Sequence, residues 1–198
     1  MPLTSLSATF KIVELRLSIG MAGDNPRRPM NKSRNPMTPY AEVWRGQIVF
    51  AAVNRNDALA QQAELEAFDG RVTAFGVALK QGFATHSNSF SGTLASAAVA
   101  GADTISVTAT ATALLAGTLL QIGTPGDANY QLVEVLEDVT VGTATTVRIA
   151  PRIRYAIAGA TAVTGGNVTA ALKLVKDELD HRFAIHSGSF TVDVIEAL

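Results

Sequence analysis

The chain has 198 residues, of which 47% are hydrophobic, 17% charged and 6% aromatic, and its formal net charge is −1. Cysteine is absent, which excludes disulfides, thiolate chemistry and cysteine-based zinc sites. The first residues show no basic segment followed by an apolar core, and no apolar run reaches the roughly 18 residues that span a membrane. We therefore expect neither a signal peptide nor a membrane partner.

The chain opens on a strand pattern over residues 9–19, where apolar and polar side chains alternate. A period of two predicts a half-buried β-strand. The side chains expected on its core side are Val13, Leu15, Leu17 and Ile19.

Residues 20–41 hold four of the seven prolines and four basic side chains. Proline lacks a backbone donor and disfavours helix in the residue before it, so an extended basic arm is predicted. Residues 1–55 carry eight basic and three acidic side chains (+5), and the remainder carries eight basic and fourteen acidic ones (−6). An uneven charge distribution of this kind indicates binding partners and not a particular fold. We therefore expect the arm to contact an acidic neighbouring subunit. The predicted contact residues are Arg27, Arg28, Lys32 and Arg34.

Regular secondary structure is predicted again after the arm. Residues 42–53 read as a strand with Trp44, Ile48 and Phe50 on one face. A helix is then predicted over about residues 57–69, because Asn56 and Asp57 cap a run of strong helix formers that ends at a glycine.

This helix is expected to pack Leu65 and Phe68 against the sheet. The next strand, residues 71–80, has Phe75, Val77 and Leu79 on one face.

The middle of the chain differs in amino-acid composition from the parts on either side. Residues 92–166 hold only eight charged side chains and no His, Lys, Phe or Trp, and short β-branched runs alternate with glycines. This composition predicts a small β-barrel that has almost no side chains suited to catalysis. Residues 168–177 and 189–198 then return to strands like those of the first 80 residues, and in the last of them Phe190, Val192 and Val194 alternate with Thr191 and Asp193.

The fold class expected is mainly β (α+β), with one helix and an inserted barrel. Residues 1–84 and 168–198 are predicted to form one discontinuous domain, and residues 85–167 the inserted one.

Few residues suggest chemistry. The histidines, His86, His181 and His186, lie in or beside two similar octapeptides (83–90 and 183–190), and with Asp180 they match no metal-binding spacing. Catalytic and nucleotide-binding motifs are absent from the sequence, so no catalytic residue, metal or cofactor is predicted.

Two further patterns argue against sugar hydrolysis and nucleic-acid binding. Glu134, Glu137 and Asp138 read as a solvated strand and turn, because sugar-stacking aromatics are missing around them. Aromatic residues also do not interleave the basic run, which argues against nucleic-acid binding.

Several segments together resemble one family. AGTLLQIG, YQLVEVLEDV and TTVRIAPRIRYAIAGATAV (116–123, 130–139 and 145–163) look like the central part of distal tail proteins of long, flexible-tailed bacteriophages and gene transfer agents. PYAEVWRGQIVFAAVNRNDALAQQAELEAFDGRVTAFGVAL (39–79) and the closing SFTVDVIEAL resemble the parts on either side. Thr118 stands where the family motif has aspartate.

The resemblance implies a hexameric ring at the virion tail tip, made in the host cytoplasm, that joins the tail tube to hub or fibre proteins. It implies a tail-tube-like β-sandwich carrying an OB-like or galectin-like barrel, with DNA passing through the ring and no enzyme activity. The alternative is a carbohydrate- or receptor-binding module, for which the barrel offers only Tyr130 and Tyr155 as stacking surfaces.

Overall fold

The computed structural model describes residues 4–6, 11–21, 42–51, 55–67, 73–79, 89–110, 112–175 and 189–197. It has one helix in this part of the chain, α1 (Arg55–Ala67). The strands, in chain order, are β1 (Thr4–Ser5), β2 (Lys11–Met21), β3 (Glu42–Ala51), β4 (Phe75–Leu79), β5 (Phe90–Leu94), β6 (Thr104–Ala109), β7 (Thr112–Leu114), β8 (Leu119–Ile122), β9 (Gln131–Val135), β10 (Val139–Val141), β11 (Thr145–Ala150), β12 (Ala162–Gly165), β13 (Val168–Leu174) and β14 (Ser189–Glu196). Within these ranges no helix is long and apolar enough to cross a membrane.

The strands form two main units, as the composition predicts. Strands from both ends of the chain build a six-stranded curled sheet in the order β1-β4-β13-β14-β3-β2. Between them in sequence, β11-β6-β5-β12-β8-β9 close into an antiparallel barrel, and β7 pairs with β10 beside it. The mainly β fold with one helix and an inserted small barrel is therefore confirmed. Whether the two units fold separately stays a prediction.

The core of the curled sheet follows the predicted alternation in most strands. Trp44, Ile48 and Phe50 of β3 are buried in one cluster with Phe75, Val77 and Leu79 of β4 and Val192 and Val194 of β14. Period-two patterning identifies these faces because successive side chains of a strand point to opposite sides of the sheet.

Strand β2 departs from the predicted alternation at Val13. The β2–β3 register shifts between Ile12 and Glu14, which marks a β-bulge, and Val13 is 60% exposed. The extra residue reverses the alternation, so that Ile12 packs against the core together with Leu15 and Leu17. The core-side prediction for Val13 was therefore wrong, and Ile19, at the far end of the strand, is 37% exposed.

Helix α1 begins two residues earlier than predicted, and Leu65 is fully buried in the sheet core. Phe68 lies outside the described residues. Replacing Leu65 with alanine should lower the free energy of unfolding by about 2–5 kcal/mol, because it removes buried apolar volume and leaves a cavity. Leu59 on the same helix is 44% exposed and provides the matched control. Equal losses for the two alanine variants in chemical denaturation would show that Leu65 is not a core contact.

The barrel has its own apolar core, drawn from Phe90 and Leu94 of β5 and from the inward positions of the other strands. Thr118, just before β8, is fully buried beside it, and its hydroxyl oxygen has no hydrogen-bond partner in the structure. Its backbone groups are satisfied, since the amide donates to Leu115 O (3.1 Å) and the carbonyl accepts from Val135 N (2.9 Å). A buried hydroxyl without a partner costs free energy.

Replacing Thr118 with valine should therefore raise the free energy of unfolding by about 1 kcal/mol, since valine keeps the branched shape and removes the unsatisfied oxygen. Thr118→Ser is the control, because it keeps the hydroxyl and loses the methyl group, and it should be less stable than the wild type. A loss of stability in the valine variant would mean that the hydroxyl has a partner in solution.

Candidate functional site

Among the described residues, buried polar contacts concentrate at the junction between the curled sheet and the barrel. Strand β12 of the barrel passes into β13 of the sheet through only two residues, Gly166 and Asn167. Tyr130 and Leu132, which belong to the barrel, are buried in the same cluster as Trp44 of the sheet. The two units therefore share part of one core.

A buried ion pair crosses this junction. Both terminal nitrogens of Arg154, from the barrel, donate to the two carboxylate oxygens of Glu196, at the end of β14, each over 2.7 Å. The side chains are 4% and 1% exposed. A bidentate arginine–carboxylate pair has fixed geometry, because the planar guanidinium matches both oxygens at once.

Glu196 also joins the two units through backbone donors. It accepts from Trp44 N of β3 (3.2 Å) and Leu132 N of β9 (3.4 Å). The Trp44 indole donates in turn to Leu132 O over 2.9 Å. One carboxylate thus receives hydrogen bonds from both the sheet and the barrel, and each tryptophan donor is satisfied although Trp44 is buried.

A second set of contacts lies on β13. The Tyr130 hydroxyl donates to Thr169 O (2.5 Å) and accepts from Ala171 N (3.3 Å), and Gln121 Oε1 accepts from Thr169 N (2.9 Å). Burial, and next the nearby Glu196 carboxylate, raise the pKa of the Tyr130 hydroxyl above its ordinary value. The phenol therefore stays protonated at neutral pH and keeps its donor for Thr169.

The segment that carries Arg154 is itself held in place. Gln131 Nε2 donates to Arg152 O (2.8 Å), and Gln131 Oε1 accepts from Arg154 N (3.0 Å). The Arg152 amide donates to the Glu42 carboxylate over 3.1 Å. Glu42 pairs with Met21, the last residue of β2. Glu42, the first described residue after the predicted arm, therefore contacts the barrel.

The chemistry of this junction is structural. The Glu196 carboxylate is saturated by four donors and almost fully covered, so it has no free oxygen to offer a substrate. The described residues contain no group of three or more His, Asp or Glu side chains placed to hold a metal ion.

A second feature is the outer edge of β2. This strand of 11 residues pairs with β3 on one side, and in the described part of the chain no strand pairs with its other side. Val13 and Ile19 are exposed on it. At the opposite edge of the sheet, the described residues of β1 pair with Phe75 and Gly76 of β4. Unpaired backbone groups on a long edge strand are a template for pairing with another chain.

The structure describes some, but not all, of the residues identified from the sequence. Arg27, Arg28, Lys32 and Arg34 lie outside the described residues, as do the three histidines and Asp180. Glu134 and Asp138 are structural: Glu134 pairs within the barrel ladder, and Asp138 Oδ1 accepts from Ala116 N over 2.8 Å.

Of the two barrel tyrosines, Tyr130 is buried in the junction and only Tyr155 is exposed (46%). Tyr130 therefore offers no stacking surface to a sugar.

Sequence reasoning missed the junction. Its signal, visible in hindsight, is a polar side chain inside an otherwise apolar strand end, as with Gln131 after Tyr130 and Glu196 after Ile195. Nothing local links Arg154 with Glu196, which are 42 residues apart.

No protein-family model matches this chain, and no curated protein sequence matches it significantly.

Proposed function

We propose that this protein is a structural virion protein, a distal tail protein that forms a homo-oligomeric, hexameric ring at the tip of a phage-type tail. In this proposal the ring joins the tail tube to hub or fibre proteins and lets DNA pass through its lumen. In this proposal the protein is made in the host cytoplasm, resides at the virion tail tip and has no enzyme activity. The observation that carries the proposal is the 11-residue edge of β2 on a curled sheet, with which no described strand pairs.

The two edges of the curled sheet are unlike each other, and this supports a ring. One edge is the 11-residue strand β2, and the other consists of β4 partly covered by the two-residue strand β1. Joining unlike edges of successive copies is a head-to-tail contact, which generates a closed ring when the rotation between copies closes. The curl of each sheet supplies such a rotation.

The arm supports the same arrangement. Residues 22–41 connect Met21 of β2 to Glu42, which accepts a hydrogen bond from Arg152 of the barrel, and they carry the basic residues Arg27, Arg28, Lys32 and Arg34. Exposed acidic side chains on the barrel of a neighbouring copy would complement them. Those described are Asp103, Asp127, Glu137 and Asp138.

The test is the solution mass of the full chain by light scattering, for the wild type and for an edge variant. Val13→Lys with Ile19→Lys places charges on two exposed apolar side chains of β2, and lysines on an edge strand block pairing. The expected result is a ring for the wild type and monomers for this variant. The matched control is Leu59→Lys with Val99→Lys, two exposed apolar residues outside β2. Equal masses for the edge variant and the wild type would exclude β2 as the contact.

The arm gives a separate prediction. Reversing the charge of Arg27, Arg28, Lys32 and Arg34 should shift the ring toward monomers, because the acidic neighbour then repels the arm. High salt should weaken wild-type assembly in the same direction, since it screens attraction between exposed charges. Sedimentation at low and high salt measures both effects. A reversed variant that still assembles would show that the arm binds something other than the next subunit.

A further inference from the structure

The junction combines two kinds of contact that constrain the barrel differently. The apolar contacts of Tyr130 and Leu132 with the sheet core favour burial but are not directional. The contacts of Arg154 with Glu196 are directional, because two parallel hydrogen bonds of 2.7 Å form only at one relative placement of the groups.

Stability alone does not explain this ion pair. Burying two charges costs much of what their attraction returns, and well-packed apolar replacements are often as stable. Arg154 also keeps one buried nitrogen, Nε, without a hydrogen-bond partner. A pair with an unsatisfied donor contributes less to folding than its two short bonds suggest.

We propose that the Arg154–Glu196 pair is an orientation lock, which holds the barrel at one fixed angle to the curled sheet. Any rotation of the barrel would leave two almost fully covered charges unpaired. It would also remove the Glu196 contacts with Trp44 N of the sheet and Leu132 N of the barrel.

Arg154 and Glu196 are thus positioning residues, and the barrel is a rigid extension of the sheet. This inference concerns the single chain and holds whether or not the chain assembles.

The experiment measures the distance between the two units by pulsed electron paramagnetic resonance. The chain has no cysteine, so two introduced cysteines carry the only spin labels. Ala78→Cys on β4 and Thr140→Cys on β10 place them at exposed positions of the sheet and the barrel. Labelled protein is diluted with unlabelled protein so that only distances within one chain are recorded.

Two double variants with the same kinds of substitution are compared. One changes the buried ion pair and the other an exposed ion pair. Arg154→Met with Glu196→Gln removes the lock, and Arg16→Met with Glu14→Gln removes the ion pair on β2, whose side chains are 76% and 45% exposed. Circular dichroism and thermal melting establish that each variant is folded.

A narrow distance distribution is expected for the wild type and for the exposed-pair variant. For the buried-pair variant we expect a distribution at least about twofold wider, or a second population, with a cooperative melt retained. An unchanged narrow distribution in the folded buried-pair variant would overturn the proposal. Failure of that variant to fold would overturn it too, because the pair would then be needed for folding itself.

Discussion

Replacing Gly46 with alanine is expected to separate β2 from the sheet. Gly46 lies in the middle of β3, between Leu17 of β2 and Val194 of β14. An added Cβ would lie 1.7 Å from the Arg16 carbonyl oxygen and 3.0 Å from Leu17 Cδ2. The first of these is backbone, so the strand itself must move, and the free energy of unfolding should fall by about 3 kcal/mol or more.

Gly142 provides the matched control, because a Cβ added there meets nothing within 4 Å. Gly142→Ala should change the unfolding free energy by less than about 1 kcal/mol, with a gain possible from reduced freedom of the unfolded chain. Thermal and chemical unfolding of both variants measure the difference. If Gly46→Ala is as stable as Gly142→Ala, the close approach of β2 to β3 does not exist in solution. Because β2 carries the proposed contact edge, Gly46→Ala should also reduce assembly.

Replacing Glu196 with alanine has the second large expected effect. It leaves the Arg154 guanidinium buried without a counter-charge and removes the acceptor of Trp44 N and Leu132 N. Breaking a buried ion pair by removing one partner typically costs about 3–5 kcal/mol. Glu14→Ala, which breaks the exposed pair with Arg16, should cost less than about 1 kcal/mol.

The pair of substitutions Arg154→Met with Glu196→Gln should recover much of the loss seen for Glu196→Ala, because no unpaired charge remains buried. Residues in contact give such non-additive effects, which a double-mutant cycle measures. Urea denaturation of the wild type, Arg154→Met, Glu196→Gln and the double variant provides the four free energies of the cycle, and Glu196→Ala is measured beside them. Additive losses would mean that Arg154 and Glu196 do not interact in the folded protein.

The strands and the helix were largely predictable from the sequence, and the junction was not. Alternation located the buried faces of β3, β4 and β14, since burial on one side of a strand imposes a period of two. It failed at Val13 because a bulge depends on pairing with β3 and leaves no local mark in residue type. The contacts of Glu196 could not be predicted from the sequence for a related reason. They join residues that lie 42 to 152 positions apart in the chain. Thr118 could be noted as a departure from a motif, but its unsatisfied hydroxyl depends on its three-dimensional surroundings.

The central claim is that copies of this chain join head-to-tail through the β2 edge into a closed ring. Electron microscopy of the purified full-length protein, with class averages of particles viewed end-on, tests it most directly. We predict rings with rotational symmetry and an open centre, which are lost in the variant Val13→Lys with Ile19→Lys. Particles of single-chain size at every concentration, or two-fold dimers without a central opening, would contradict the claim.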